Sequence, residues 1–158
     1  MIIYAWKFTT YDDPADRSMA DYLQFSVQRN DVDQFCQFLI ENEKELHLST
    51  TSIPNGSPHD LDSEKDVISD PREEFQKITI HKNTPNKYPI VVMIMADTMN
   101  ISLTDEGRNL FIASLQKSKT FGYFSDNQLG ILFKDGSHDG RDSKLIVWAA
   151  NENGIIYY

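Results

Sequence analysis

Residues 22–40 read YLQFSVQRNDVDQFCQFLI, and the spacing of the apolar side chains changes halfway through this stretch. In the first part they occupy every second position, as Leu23, Phe25 and Val27, which predicts a half-buried β-strand. The pair Asn30-Asp31 can then cap a helix, in which apolar residues recur at intervals of three and four. The chain therefore places a strand directly before a helix. The apolar stripe of this first helix is formed by Val32, Phe35, Cys36, Leu39, Ile40 and Leu46.

Alternating β-forming residues predict further strands on both sides of this stretch. A turn is expected at 11–14, and a long polar connection at about 49–72 separates the first helix from the next strand. The segment 90–95 is continuously apolar, which predicts a central strand covered on both faces. Asn153-Gly154 is typical of a type I′ hairpin turn. The expected strands are 2–9, 22–28, 74–81, 90–95, 129–133, 145–149 and 155–158.

A second helix is expected to be capped by Ser102 or Thr104 and to run to about Ser118. Gly107 lies inside its first turns, where glycine costs about 1 kcal/mol relative to alanine. The two helices and the strands predict an α+β fold, with a mostly antiparallel sheet covered by two helices and a C-terminal β-meander.

The chain has 158 residues, which fits a single domain over 1–158 with the acidic loop at about 49–72 inside it. No stretch approaches the roughly 20 apolar residues that span a bilayer, and the N-terminus lacks the basic region of a signal peptide. The single cysteine, Cys36, cannot form an internal disulfide and is expected to be a small core residue. These features predict a cytoplasmic protein without a membrane contact.

The net charge of −9 is concentrated in one half of the chain. Residues 1–79 contain 7 Lys/Arg and 16 Asp/Glu, whereas residues 80–158 contain 8 of each. Binding to nucleic-acid phosphates requires clustered lysines and arginines, so this distribution argues against a nucleic-acid partner. It favours a basic protein partner, because complementary electric fields accelerate encounter and select partners.

Three glutamates are expected in the last turns of the first helix, where only Lys44 offsets them. Carboxylates at this end oppose the helix dipole, at about 0.3–1 kcal/mol each. Either they form an acidic edge for a cationic partner, or they belong to a solvated helix end that tolerates the cost. Acids at alternate positions of the loop at 49–72 extend this negative segment. The predicted partner-binding residues are Glu41, Glu43, Glu45, Asp60, Asp62, Glu64 and Asp66.

Two groups of residues are candidates for metal or acid–base chemistry. The spacing that begins at Asp60 resembles the opening of a calcium-binding loop, but Lys65 and Pro71 occupy the positions that need glycine and glutamate. The second group, on a glycine-rich turn, is also typical of a hairpin turn neutralised by neighbouring cations. It consists of Asp135, His138, Asp139 and Asp142, followed by Arg141 and Lys144.

Nothing else in the sequence indicates catalysis. His47, His59 and His81 have no shared spacing, and the chain contains no nucleophile elbow, Walker loop, dinucleotide fingerprint, zinc-protease motif or cysteine pair. We therefore expect no metal, no cofactor and no enzymatic activity.

In its size, acidity, α+β pattern and lack of catalytic motifs, the chain resembles the immunity proteins that neutralise bacterial polymorphic and contact-dependent growth inhibition toxins. The resemblance implies a cytoplasmic protein that blocks a cognate toxin domain, such as a nuclease whose substrate cleft is basic. Two alternatives remain: a phage anti-defence protein that mimics DNA, and a small enzyme that uses Asp135, His138 and Asp139.

Overall fold

The computed structural model describes residues 1–13, 18–41, 44–52, 73–82, 84–121, 128–136 and 140–150. In these ranges the chain forms two α-helices and nine strands, which confirms the α+β class. A short 3-10 turn at Arg29–Asp31 precedes the first helix. The helices are α1 (Val32–Ile40) and α2 (Asp105–Phe121). The strands are β1 (Ile3–Asp13), β2 (Ser18–Gln28), β3 (Glu45–Ser49), β4 (Glu73–Glu74), β5 (Lys77–His81), β6 (Ile90–Met95), β7 (Thr98–Leu103), β8 (Gln128–Lys134) and β9 (Arg141–Ala150).

All nine strands belong to one sheet, in the order β3-β5-β7-β6-β8-β9-β2-β1-β4. Among the described residues, five of the eight strand pairings are antiparallel, which confirms the mostly antiparallel sheet. The pairs β2–β9, β5–β7 and β6–β8 are parallel. β8 and β9 form the expected antiparallel pair near the C-terminus. The further strand predicted at 155–158 lies outside the described residues.

Both helices pack on the same face of the sheet, over the apolar side of β2. The ring of Phe25 lies 5.3 Å from that of Phe35 in α1 and 5.0 Å from that of Phe111 in α2, measured between centroids. All three side chains are fully buried. The alternation that predicted β2 thus reflects real burial on this face.

The other face of β2 is also buried, so the prediction of a half-buried strand is wrong there. Gln24 and Ser26 have no solvent exposure, and they lie beside a second apolar cluster that contains Trp6 and Trp148. The two indole rings meet edge to face, with centroids 5.2 Å apart. Trp6 on β1 is the cross-strand neighbour of Gln24, and Trp148 on β9 is the neighbour of Ser26. The sequence of β2 alone indicates neither of these contacts.

The sheet curls until its two ends touch. Thr51, which follows β3, donates its N–H to the carbonyl of Ile3 in β1 at 2.7 Å. Phe75 donates to the carbonyl of Ala5 at 3.0 Å and lies between β4, which is the last strand in the order, and β5, which is second from the other end. The single strand predicted at 74–81 is therefore broken at Phe75 and Gln76, because the chain crosses there from one end of the sheet to the other.

Several predicted boundaries are wrong. α1 ends at Ile40, and Leu46 is buried on β3 instead of on the helix. β1 continues to Asp13 through the expected turn, and β7 was not predicted. β6 is central in the strand order and its first half is buried on both faces, as predicted, but Met95 is 57% exposed, so the second half of the strand is not covered on both faces. Asp31 occupies the N-cap position before α1, but its carboxylate accepts from the N–H of Ile2 at 2.7 Å instead of capping the helix.

The start of α2 explains why a glycine occupies its first turn. The hydroxyl of Thr104 accepts the N–H of Gly107 at 3.1 Å, as a helix cap does, and donates to the carbonyl of Pro89 at 3.1 Å. A Cβ atom on Gly107 would lie 2.0 Å from that same carbonyl oxygen. Glycine is needed here for close approach of the helix to the 84–90 segment, in spite of its low helix propensity.

Candidate partner-binding corner at α1 and β3

The structure describes two of the seven predicted partner-binding residues. Glu41 immediately follows α1 and Glu45 begins β3, and both are exposed. The prediction that Glu45 lies in the last turns of the helix is wrong, because the chain has already entered a strand. Whether the other five join these two in one patch stays a prediction, since they lie outside the described residues: Glu43, Asp60, Asp62, Glu64 and Asp66.

The end of α1 is held by a lysine from a distant strand. Lys82 follows β5, and its side chain is 4% exposed. Its Nζ donates to the carbonyl of Phe38 at 2.9 Å and to that of Glu41, which are among the last carbonyls of the helix. A cation at a helix C-terminus offsets the dipole and satisfies carbonyls that lack a partner within the helix.

Lys82 removes one reason for assigning a function to the acidic end of α1. In the sequence, no nearby group of cations offsets the glutamates that oppose the helix dipole, which favoured a functional interpretation. The compensating cation comes from 41 positions after Glu41, so the dipole argument no longer supports a function. What remains in support of a site is the exposure of the Glu41 and Glu45 carboxylates.

Glu45 lies between two histidines on the outer end of the sheet. Its Oε1 is 3.0 Å from Nε2 of His47 and 3.9 Å from Nδ1 of His81, which is its cross-strand neighbour on β5. The hydroxyl of Thr79 lies 3.5 Å from the other ring nitrogen of His47. His47 and His81, which share no spacing in the sequence, thus lie beside the same carboxylate; His59 lies outside the described residues. Glu45-x-His47 on a strand was a usable signal, but the contribution of His81 depends on pairing with β5.

Glu45, His47 and His81 form a small cluster of polar side chains. In the part of the chain that the structure describes, no group of three or more histidines, cysteines or carboxylates could hold a metal ion. An imidazole ring that carries a proton on the facing nitrogen can donate to the Glu45 carboxylate.

Several other carboxylates of the described chain have a lysine or arginine partner. Asp33 accepts from Lys119 at 2.7 Å, which lowers the pKa of that carboxyl group, and Glu73 lies 3.2 Å from Lys7. By contrast, neither Glu41 nor Glu45 has a lysine or arginine within ion-pair distance among the described residues. These two glutamates keep their negative charge available to another molecule.

The alternative acid–base group on the β8–β9 turn is tied to structure where it is described. Asp135 accepts from Arg141 at 3.0 Å, and the guanidinium of Arg141 lies 4.5 Å from the centroid of the Phe133 ring. Such contacts hold the ends of the two strands together. His138 and Asp139 lie outside the described residues.

Cys36 lies on the buried face of α1 and packs in the hydrophobic core, as predicted from its position in the apolar stripe. It is nearly inaccessible, and burial raises the pKa of its thiol. A thiol with a raised pKa is protonated at neutral pH, which makes it a poor nucleophile.

Comparison with protein-family models, with curated proteins and with solved structures found no match to the chain. In the described ranges, neither helix combines the length and the hydropathy that crossing a membrane requires.

Proposed function

We propose that the chain is a non-catalytic acidic protein that binds and neutralises a basic protein partner, and that it acts in the cytoplasm as the immunity protein of a toxin with nuclease activity. The observation that supports this proposal most directly is the state of Glu41 and Glu45. Both carboxylates are exposed at one corner of the fold, and no lysine or arginine of the described chain neutralises them.

The charge of the chain supports the same role. Nucleases present basic clefts because they bind phosphates, and an acidic protein can occupy such a cleft through charge complementarity. With a net charge of −9, the chain attracts such a partner before contact, which raises the association rate at low salt. The DNA-mimic alternative uses the same charge logic, but no described contact favours it specifically.

The test needs a basic toxin domain as partner, which is to be sought among the products of the genes that neighbour the gene for this chain. Association is then measured by stopped-flow fluorescence across a range of salt concentrations. The double variant Glu41→Gln/Glu45→Gln should lower the association rate constant about three- to tenfold at low salt and flatten its salt dependence. The matched control Glu106→Gln/Asp142→Asn removes two exposed carboxylates elsewhere and leaves the net charge the same as in the site variant.

Equal rates for the site and control variants would contradict a role for this corner. An association rate that does not depend on salt would contradict the charge-steered inhibitor as a whole. Growth of cells that express the toxin domain gives an independent readout, because an immunity protein must restore it.

A further inference from the structure

β3 is a terminal strand in the order of the sheet. Within the described residues it pairs only with β5. The His47 side chain is 73% exposed, and Glu45 and Ser49 are exposed as well. A terminal strand of this kind presents main-chain N–H and C=O groups to which another extended chain can bond.

The hydrogen bonds at the two ends of β3 identify which residues present those groups. Lys82 donates its N–H to the carbonyl of Lys44 at 2.7 Å, and Thr50 donates to the carbonyl of Gln76 at 3.1 Å. Hydrogen-bonded positions alternate along an antiparallel pair. The even-numbered residues between these two bonds therefore point their main chain toward β5, whereas the odd-numbered residues point theirs away from the sheet. The residues of β3 with outward main-chain groups are Glu45, His47 and Ser49. The next residue in this series, Thr51, already donates its N–H to the carbonyl of Ile3 in β1, so an added strand is limited to the part of the edge before Thr51.

The charge beside this edge selects among possible occupants. Glu45 lies on the edge itself and Glu41 lies just before it, and neither has a lysine or arginine partner in the described chain. A second copy of the chain would bring the same carboxylates to the edge and be repelled. A strand that carries lysine or arginine places opposite charges across from Glu45, which is the favourable cross-strand arrangement.

We propose that β3 is a docking edge to which an extended basic segment of the partner adds as a further strand. The charge of this occupant follows from the proposed function, whereas the mode of binding follows from the direction of the β3 main chain. Side chains of the added strand alternate between the two faces of the sheet. On one face its basic residues meet Glu45, and on the other its apolar residues meet Leu48, which is half-buried against the core.

The decisive variant removes one outward N–H without disturbing the inward hydrogen bonds. His47→Pro deletes an N–H that points away from β5, and proline is tolerated on a sheet edge in this situation. His47→Ala is the matched control, because it also removes the imidazole ring but keeps the N–H. Thermal unfolding of both variants establishes that the fold is retained.

The probe is a short synthetic peptide of alternating lysine and valine with blocked ends, titrated into the 15N-labelled chain. The amide signals of Glu45, His47 and Ser49 should shift and become protected from hydrogen exchange, while a peptide of alternating glutamate and valine leaves them unchanged. His47→Pro should weaken binding of the lysine peptide about tenfold or more, and His47→Ala by less than about threefold.

Three outcomes would overturn the docking edge: no binding of the lysine peptide, binding without protection of these three amides, or equal binding by the proline and alanine variants. The amide protection is measured on the unmodified chain, so it does not depend on whether the proline variant folds.

The same measurements separate this proposal from the proposed function. Protection of the β3 amides by the lysine peptide, together with toxin association that does not depend on salt, would contradict the proposed function alone. Charge-dependent toxin association without protection of these amides would overturn the docking edge alone.

Discussion

Replacement of Lys82 by methionine tests whether a buried lysine holds α1 against the sheet. Methionine preserves most of the length and apolar stem of the side chain but removes the ammonium group. The carbonyls of Phe38 and Glu41 then lose the donor that satisfies them, and the helix end loses its compensating charge.

The expected loss of stability is about 3 kcal/mol. A hydrogen bond to a charged group contributes about 1.5–3 kcal/mol, and a partly buried cation at a helix C-terminus contributes up to about 2 kcal/mol. These contributions do not add in full, because removing the ammonium also removes the cost of burying it. For a chain of this size, a loss of about 3 kcal/mol lowers the melting temperature by roughly 6–12 °C.

Urea unfolding of the wild type and of Lys82→Met measures the loss directly, and hydrogen exchange localises it. The N–H of Glu41, which bonds to the carbonyl of Gln37 at 3.0 Å, should exchange faster in the variant. Lys77→Met is the matched control, because Lys77 is an exposed lysine at the start of β5, the strand that Lys82 follows. This substitution should change the free energy of unfolding by less than about 0.5 kcal/mol. A loss below about 1 kcal/mol, or an equal loss in the two variants, would refute the assignment of Lys82 as the cap of α1.

Two further predictions concern α2 and the core. Gly107→Ala should lower the free energy of unfolding by about 2 kcal/mol, because the new Cβ meets a backbone oxygen, although alanine is the better helix former by about 1 kcal/mol. The control Gly130→Ala has no atom within 4 Å of its Cβ and should be nearly neutral in urea unfolding; a stabilised Gly107→Ala would disprove the close approach. Cys36 should react with an aromatic disulfide reagent about 100-fold more slowly in the native chain than in urea, and comparable rates would show that the thiol is accessible.

Local periodicity was sufficient to predict the class of the fold and several of its elements. The alternation of Leu23, Phe25 and Val27 predicted β2, and the apolar run at 90–95 predicted β6, because side-chain spacing within a few residues follows directly from backbone geometry. The excess of acidic residues in the first half was likewise visible without a structure, since charge is a property of composition.

The tertiary structure alone decided which of these features belong together. Lys82, which follows β5, donates to carbonyls at the C-terminal end of α1, and the pairing of β3 with β5 brings His81 close to Glu45. Neither contact has a local signal in the sequence. Burial of both faces of β2 depends on neighbours from β1 and β9 in the same way. Strand order and register are set by the packing of the whole chain. Contacts across the sheet, and the terminal position of β3, therefore follow from the assembled core and not from the spacing of residues within a segment.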